Sequence, residues 1–464
     1  MNNWFWIFLF LPLFSAGQEF RLNVEMKTAA GQKLFLAGYY LENIYVKDSI
    51  LLDEQGKGVF SSASALPQGL YKIYLDKNKH FDILLGNEQQ FSVSNESFSI
   101  ETLKTEGSAE IAVFRDYMLL LKSFQQKNTQ IRNKMDGASA SRKKSLEKEL
   151  SEAPLQFNDD LEKLAASVPN TFYAKYIMAN RMIPPLDIST LPKEVQNNDT
   201  LLHNARFYHQ QRHYWDNFDY TDERFLHTPV YKKVLDTWFT KVLYQSYDSV
   251  KNPVFQFIED VKPHAELFRY VVSYFLNNSF SSKVMGMDAL FVDIAKKYYL
   301  SGQTPWATEE VLEKIRENVL FMENNLIGNR APDLNLETFD GEYASLHGVR
   351  AKYTLLLFYE PNCSYCRVYV PAIYDEIYQT YRDKGLEVYA VYSAMKKEEW
   401  QDFLIEHGLF DWVNVWDEHH DSRFRILYDV RTTPALFLLD ENKAILGKKL
   451  TVQQIKDFME VHLN

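Results

Sequence analysis

Cysteine is nearly absent from this chain. There are two in 464 residues, both within YEPNCSYCRVYVP (359–371). A fold stapled by several widely spaced disulfides is thereby excluded. Basic excess is missing as well: the formal net charge is -11 and no long Lys/Arg run occurs. Nucleic acid and anionic membrane surfaces are therefore not expected as partners, since phosphate binding needs clustered cations. No metal-ligand set is apparent either. His213 and His227 are too far apart in the chain to act as a pair, and the adjacent His419 and His420 point in different directions from one stretch of backbone, so no metal site is expected. Long apolar runs are also lacking. The strongest, Trp4 to Phe14, is too short to span a bilayer comfortably.

That run is followed by Ser15-Ala16-Gly17, a small-x-small site that fits signal-peptide cleavage before Gln18. Residues 1–17 are read as a signal peptide, with a retained anchor or a buried helix as the alternative. The expectation is an exported chain, periplasmic or envelope-associated and soluble, with no stable membrane span after cleavage.

Hydrophobic residues make up 46% of the chain and aromatics 15%, enough for packed cores and too much for disorder. A chain of this length is expected to divide into several domains. Residues 18–105 carry short, partly alternating runs (FRLNVEM, KLFLAGYY, GLYKIYLD, QFSVSN) between Gly, Asn and Asp turns. They predict a small antiparallel β-sandwich. Residues 106–325 change period. Ile111, Phe114, Met118 and Leu121 share a helical face, NKMDGASASRKK (133–144) reads as an exposed loop, and Thr228-Pro229 opens a helix with Val230, Val234, Trp238 and Val242 inward. A central all-α region follows. The aromatic stretch HYWDNFDYTDERFLHTPVY (213–231) is read as packing and not as a site.

Residues 326–464 read as β-α-β-α, then a hairpin, then a helix. YTLLLFY (353–359) and LEVYAVYS (386–393) are buried strands, TPALFLLD (433–440) and AILGKKL (444–450) form a hairpin, and a last helix starts at Thr451. The Cys-x-x-Cys pair falls at a strand-to-helix junction. Cys363 stands at the helix N-terminus, where free N–H groups and the dipole favour a thiolate, and Cys366 lies one turn inside. Pro371 should kink the helix just beyond. The first cysteine then attacks and the second resolves the mixed disulfide. A structural disulfide remains the alternative, although so short a loop constrains the unfolded chain little. Half of a zinc site is the other, and it lacks two further ligands.

Cys363-Ser364-Tyr365-Cys366, Pro371, Thr433-Pro434 before ALFLLD, and APDLNL (331–336) together resemble the thioredoxin superfamily, in its branch of TlpA/ResA-like envelope thiol-disulfide oxidoreductases. The resemblance covers roughly residues 326–464. It implies an α/β thioredoxin fold, a redox-active Cys363–Cys366 disulfide, a cis Thr433-Pro434 bond framing the substrate chain, and no dissociable cofactor. A polypeptide thiol or disulfide substrate is implied, with a redox partner protein as electron donor or acceptor. The preceding β and helical segments are similar in layout to Gram-negative envelope proteins whose N-terminal domains have no characterised role. Leu357 occupies the place of thioredoxin's buried Asp, so Glu360, three residues before Cys363, is the candidate proton-transfer group. Peroxiredoxins carry Thr or Ser three residues before their cysteine and Pro seven before, where this chain has Glu360 and Leu356, so peroxidase chemistry is not expected. The reading of a different class is an envelope binding or scaffold protein in which the redox module is accessory.

Overall fold

The computed structural model describes residues 19–463. The expected signal peptide, residues 1–17, lies outside the described residues. No helix among the described residues is long and apolar enough to cross a membrane. The chain divides into two compact units, meeting in sequence at Leu243 and Tyr244.

The described residues of the first unit begin with eight strands: β1 (Phe20–Glu25), β2 (Lys33–Tyr40), β3 (Asn43–Leu51), β4 (Lys57–Ser62), β5 (Gly69–Tyr74), β6 (His80–Leu85), β7 (Gln90–Asn95) and β8 (Leu103–Glu106). They form two four-stranded sheets, β4-β1-β7-β8 and β3-β2-β5-β6. Every ladder is antiparallel except β1 with β7, which is parallel. Alternation does the work here: Phe20, Leu22 and Val24 of β1 are buried while the residues between them face outward.

Among the described residues, six α-helices complete this unit: α1 (Ala109–Met135), α2 (Ala140–Ser167), α3 (Phe172–Met178), α4 (Lys193–Gln196), α5 (Asp199–His213) and α6 (Val230–Thr237). Two sequence expectations shift. The exposed loop expected over 133–144 shrinks to residues 136–139, because α1 runs on to Met135 and the Ser139 hydroxyl caps α2 by accepting from Arg142 N–H. The inward face around α6 also changes at its start. Trp238 and Val242 are buried as expected, but Val230 and Val234 are only half-buried, because the larger Tyr231 and Leu235 take the core positions; a π turn follows over Trp238–Val242.

The second unit opens with α7 (Tyr247–Val261), α8 (Ala265–Phe280), α9 (Asp288–Ile294) and α10 (Glu309–Met322). A seven-stranded mixed sheet follows, built from β9 (Asn335–Thr338), β10 (Tyr343–Ser345), β11 (Tyr353–Tyr359), β12 (Leu386–Tyr392), β13 (Val413–Trp416), β14 (Ala435–Asp440) and β15 (Ile445–Lys448), in the order β10-β9-β13-β12-β11-β14-β15. Its helices are α11 (Ser364–Ala372), α12 (Gln379–Tyr381), α13 (Lys397–His407), α14 (Phe424–Leu427) and α15 (Val452–His462). Strands β11, β12 and β13 run parallel, and β14 returns antiparallel beside β11. The run TLLLFY of β11 is buried without a break, as a central strand covered on both faces requires. One core, with Leu355, Leu357 and Tyr359, lies against α11, α13 and α15; the other, with Leu356 and Phe358, lies against α14 and β9. This is the α/β thioredoxin fold expected for residues 326–464.

Chain ends are tied in by local chemistry. Thr451 and Gln454 form a reciprocal capping box at the start of α15. At the β14–β15 turn, Lys443 is buried, and its ammonium donates to the Val349 carbonyl and the Thr354 hydroxyl, each at 2.9 Å.

Candidate active site

The covered strand β11 delivers Tyr359 and then Glu360-Pro361-Asn362-Cys363 at its C-terminal end. A turn closes there as Cys363 N–H donates to Glu360 O at 3.1 Å. Cys363 takes extended backbone angles at the N-cap of α11, and its carbonyl accepts from Arg367 N–H at 3.2 Å. The Arg367 guanidinium returns to Pro361 O at 2.9 Å, so the junction is held from both sides. Both cysteines are free thiols. Cys363 is half-buried, while Cys366, one turn in, has no solvent exposure. Pro371 lies inside α11, which continues to Ala372 and then widens into π turns over Ile373–Tyr378. The disturbance expected from that proline is a change of helix type and not an end.

The loop before β14 meets the pair. Thr433-Pro434 is a cis bond, and the Cys363 thiol donates to the Thr433 carbonyl at 3.3 Å. Partial burial alone would raise the Cys363 thiol. The backbone N–H groups of Cys366 and Tyr365, the Cys366 thiol and the Thr433 side chain outweigh it and hold Cys363 below its ordinary value. Cys366 goes the other way. Burial, reinforced by neighbouring Cys363, pushes it up to about 12 against the opposing pull of Glu360 N–H and the Thr433 side chain. Two thiols of one motif are thus separated chemically, Cys363 held below and Cys366 well above the ordinary thiol value.

Four of the residues singled out from sequence, Cys363, Cys366, Thr433 and Pro434, come together. Glu360 is close by, but its carboxylate faces Arg425, with Nη2 donating at 3.3 Å. The link from Glu360 to Cys366 is through the backbone N–H of Glu360 and not through its side chain. Sequence reasoning missed Arg425, which also donates to Ser393 O at 2.7 Å and Val430 O at 3.4 Å and so joins the ends of β11 and β12 to the Thr433 loop. No local pattern marks it; only the adjacency of parallel strand ends brings it in. It also missed Tyr359, which is buried and accepts from Trp400 Nε1 at 3.1 Å. Burial raises the Tyr359 phenol, and nearby Tyr392 and Cys366 raise it further. Leu357 is fully buried in the same core as Cys366, so hydrocarbon occupies the place where a proton-accepting carboxylate was considered. Among the described residues, no three His, Cys, Asp or Glu side chains converge as a metal site would need.

Residues 327–447 match the AhpC/TSA family, and residues 188–325 match a domain of unknown function, DUF5106. Thioredoxin-like protein YneN of Bacillus subtilis is 30% identical over 127 residues, covering 25% of this chain and 68% of that protein. Thiol-disulfide oxidoreductase ResA of Halalkalibacterium halodurans is 25% identical over 139 residues, covering 29% of this chain and 76% of that protein. A solved domain from Cytophaga hutchinsonii, described as that of a possible thiol-disulfide isomerase, is 36% identical with a TM-score of 0.28, over 30% of this chain and 92% of that domain.

Proposed function

The chain belongs to the thioredoxin-like AhpC/TSA family, and from that premise we propose that it is a thiol-disulfide oxidoreductase acting on polypeptide substrates through Cys363 and Cys366. The observation that carries the reading is the asymmetry of the pair: a half-exposed Cys363 at a helix N-cap, bonded to the cis Thr433-Pro434 loop, in front of a fully buried Cys366. In the direction of substrate reduction, the Cys363 thiolate attacks a substrate disulfide. One Cys363–substrate S–S bond forms and one substrate thiolate leaves. Cys366 then gives up its proton and attacks the Cys363 sulfur, which expels the second substrate thiolate and leaves the Cys363–Cys366 disulfide. A redox partner protein returns two electrons and two protons. Run backwards, the same steps oxidise a dithiol.

Thr433 and Pro434 frame the approach of the substrate chain. Glu360 is our candidate acceptor of the Cys366 proton, through solvent or after release from Arg425. We place the protein outside the cytoplasm on the strength of the apolar run Trp4–Phe14 and the small residues after it. The domain division 18–105, 106–325 and 326–464 belongs to this reading as well.

The test is the redox equilibrium of the pair in glutathione buffers, read by mass after alkylation. The expected result is reversible conversion between dithiol and disulfide, with a potential within the range of about -270 to -120 mV spanned by such modules. A pair that stays oxidised well below about -300 mV would leave the accessory-scaffold reading in its place.

A further inference from the structure

The helical segment ahead of the redox module touches the loop that carries Thr433 and Pro434, and it does so at both ends of that loop. At the near end, Asn325 is buried. Its amide donates to Leu427 O at 3.0 Å and to Phe321 O at 2.6 Å, and its side-chain oxygen accepts from Lys448 Nζ at 2.9 Å. Lys448 is in turn ion-paired with Asp288 at the start of α9. At the far end, Arg431 donates to Asn318 Oδ1 at 2.9 Å, and its guanidinium lies 4.9 Å from the centre of the Phe321 ring.

Between those anchors is Asp429. Its side chain is 2% exposed, its φ is +51°, and it accepts from Arg431 Nε and, at 2.7 Å, from Lys449 Nζ. A non-glycine residue in the left-handed region costs about 1 kcal/mol or more unless its surroundings hold it there. The contacts described supply that hold. Asp288, Asn318, Phe321 and Asn325 all precede residue 327, where the AhpC/TSA match begins, and all fall within the match of unknown function.

We propose that α10 and the turn after it are a positioning element for the redox site: Asn318 and Phe321, through Arg431, and Asn325, through Leu427, fix the loop 427–434 so that the Thr433 side chain stays against Cys363. This assigns a task to a stretch of chain outside the redox module, and it rests on the thiol-disulfide reading above. The Thr433 carbonyl accepts from the thiol and favours the protonated form, whereas the Thr433 side chain favours the thiolate; a loose loop would draw that side chain away, and a thiolate with one donor fewer forms at higher pH.

The experiment uses the full reduced chain and measures the pH dependence of iodoacetamide alkylation at Cys363, with thermal melts to verify folding. The parent should show a Cys363 profile below that of an ordinary thiol. Asn318→Ala combined with Phe321→Leu should move it upward by about half a unit, roughly a threefold loss of rate at neutral pH. Asn318→Asp alone keeps the acceptor for Arg431 and should leave the parent profile unchanged. Arg431→Ala, made in the loop itself, gives a second route to the same shift if the helix variant melts early. Coincident profiles in the parent and either folded variant would overturn the positioning role while leaving the oxidoreductase reading intact, as would an equal shift with Asn318→Asp. A parent Cys363 that titrates no lower than an ordinary thiol would overturn both.

Discussion

Strands β3 and β11 draw on similar residues and end in opposite surroundings. NIYVKDSIL forms the outer strand of its sheet, bonded only to β2, and its first five residues are exposed, Ile44, Tyr45 and Val46 among them. YTLLLFY is bonded on both sides, by β12 and β14, and all but its first residue are buried. Lys47 and Asp48 in β3 are the kind of interruption that keeps an edge from recruiting another strand. A strand covered on two faces has no such freedom, and that rigidity places the cysteine pair at its end. The lesson is that the site depends on coverage and not on strand propensity.

One polar side chain placed on each strand tests the two surroundings directly. Leu357→Asn removes buried hydrocarbon and buries an amide, and should cost about 4 kcal/mol in a denaturant titration. Next in size is Asp288→Asn, which leaves Lys448 buried without its counter-charge. Burial already lowers the Lys448 ammonium, so the variant should lose about 3 kcal/mol at neutral pH and recover part of it as pH rises and the amine sheds its proton.

A smaller effect belongs to Cys366. Its thiol is raised in the folded protein to about 12 from an ordinary 9.0, so above pH 9 the unfolded chain loses a proton that the folded chain keeps. Reduced protein should therefore lose roughly 1 kcal/mol between pH 9 and 10 relative to Cys366→Ser, an extra slope visible in paired melts. Smallest of all, Val46→Asn on β3 should change stability by less than about 0.5 kcal/mol. If Val46→Asn matched Leu357→Asn, the contrast between the strands would fail.

What could be read in advance follows the same division. The unbroken apolar run of β11, the Cys-x-x-Cys pair at its end, Thr433-Pro434 before β14 and the last helix starting at Thr451 are local patterns, and each lies where its pattern pointed. Arg425, which reaches Glu360 across 65 residues of sequence, and Asn325, which reaches Leu427 across 102, have no local signature. The inward face expected around α6 holds at Trp238 and Val242, whereas at the helix start Tyr231 and Leu235 take the core positions in place of Val230 and Val234. Nor did periodicity say which helices accompany which sheet. It showed one helical stretch, whereas the chain changes unit at Leu243 and Tyr244.

Lys443 has a practical consequence. Its amine is bonded to Val349 O and Thr354 Oγ1 beneath the β14–β15 turn, and burial lowers its affinity for a proton. Amine-reactive reagents added to folded protein should label the exposed lysines and pass this one by. Once the sheet opens, burial no longer acts on it and it becomes an ordinary target. A single peptide in a mass spectrum would then report whether the redox module is folded, in a mixture or in a cell extract, without any engineered tag.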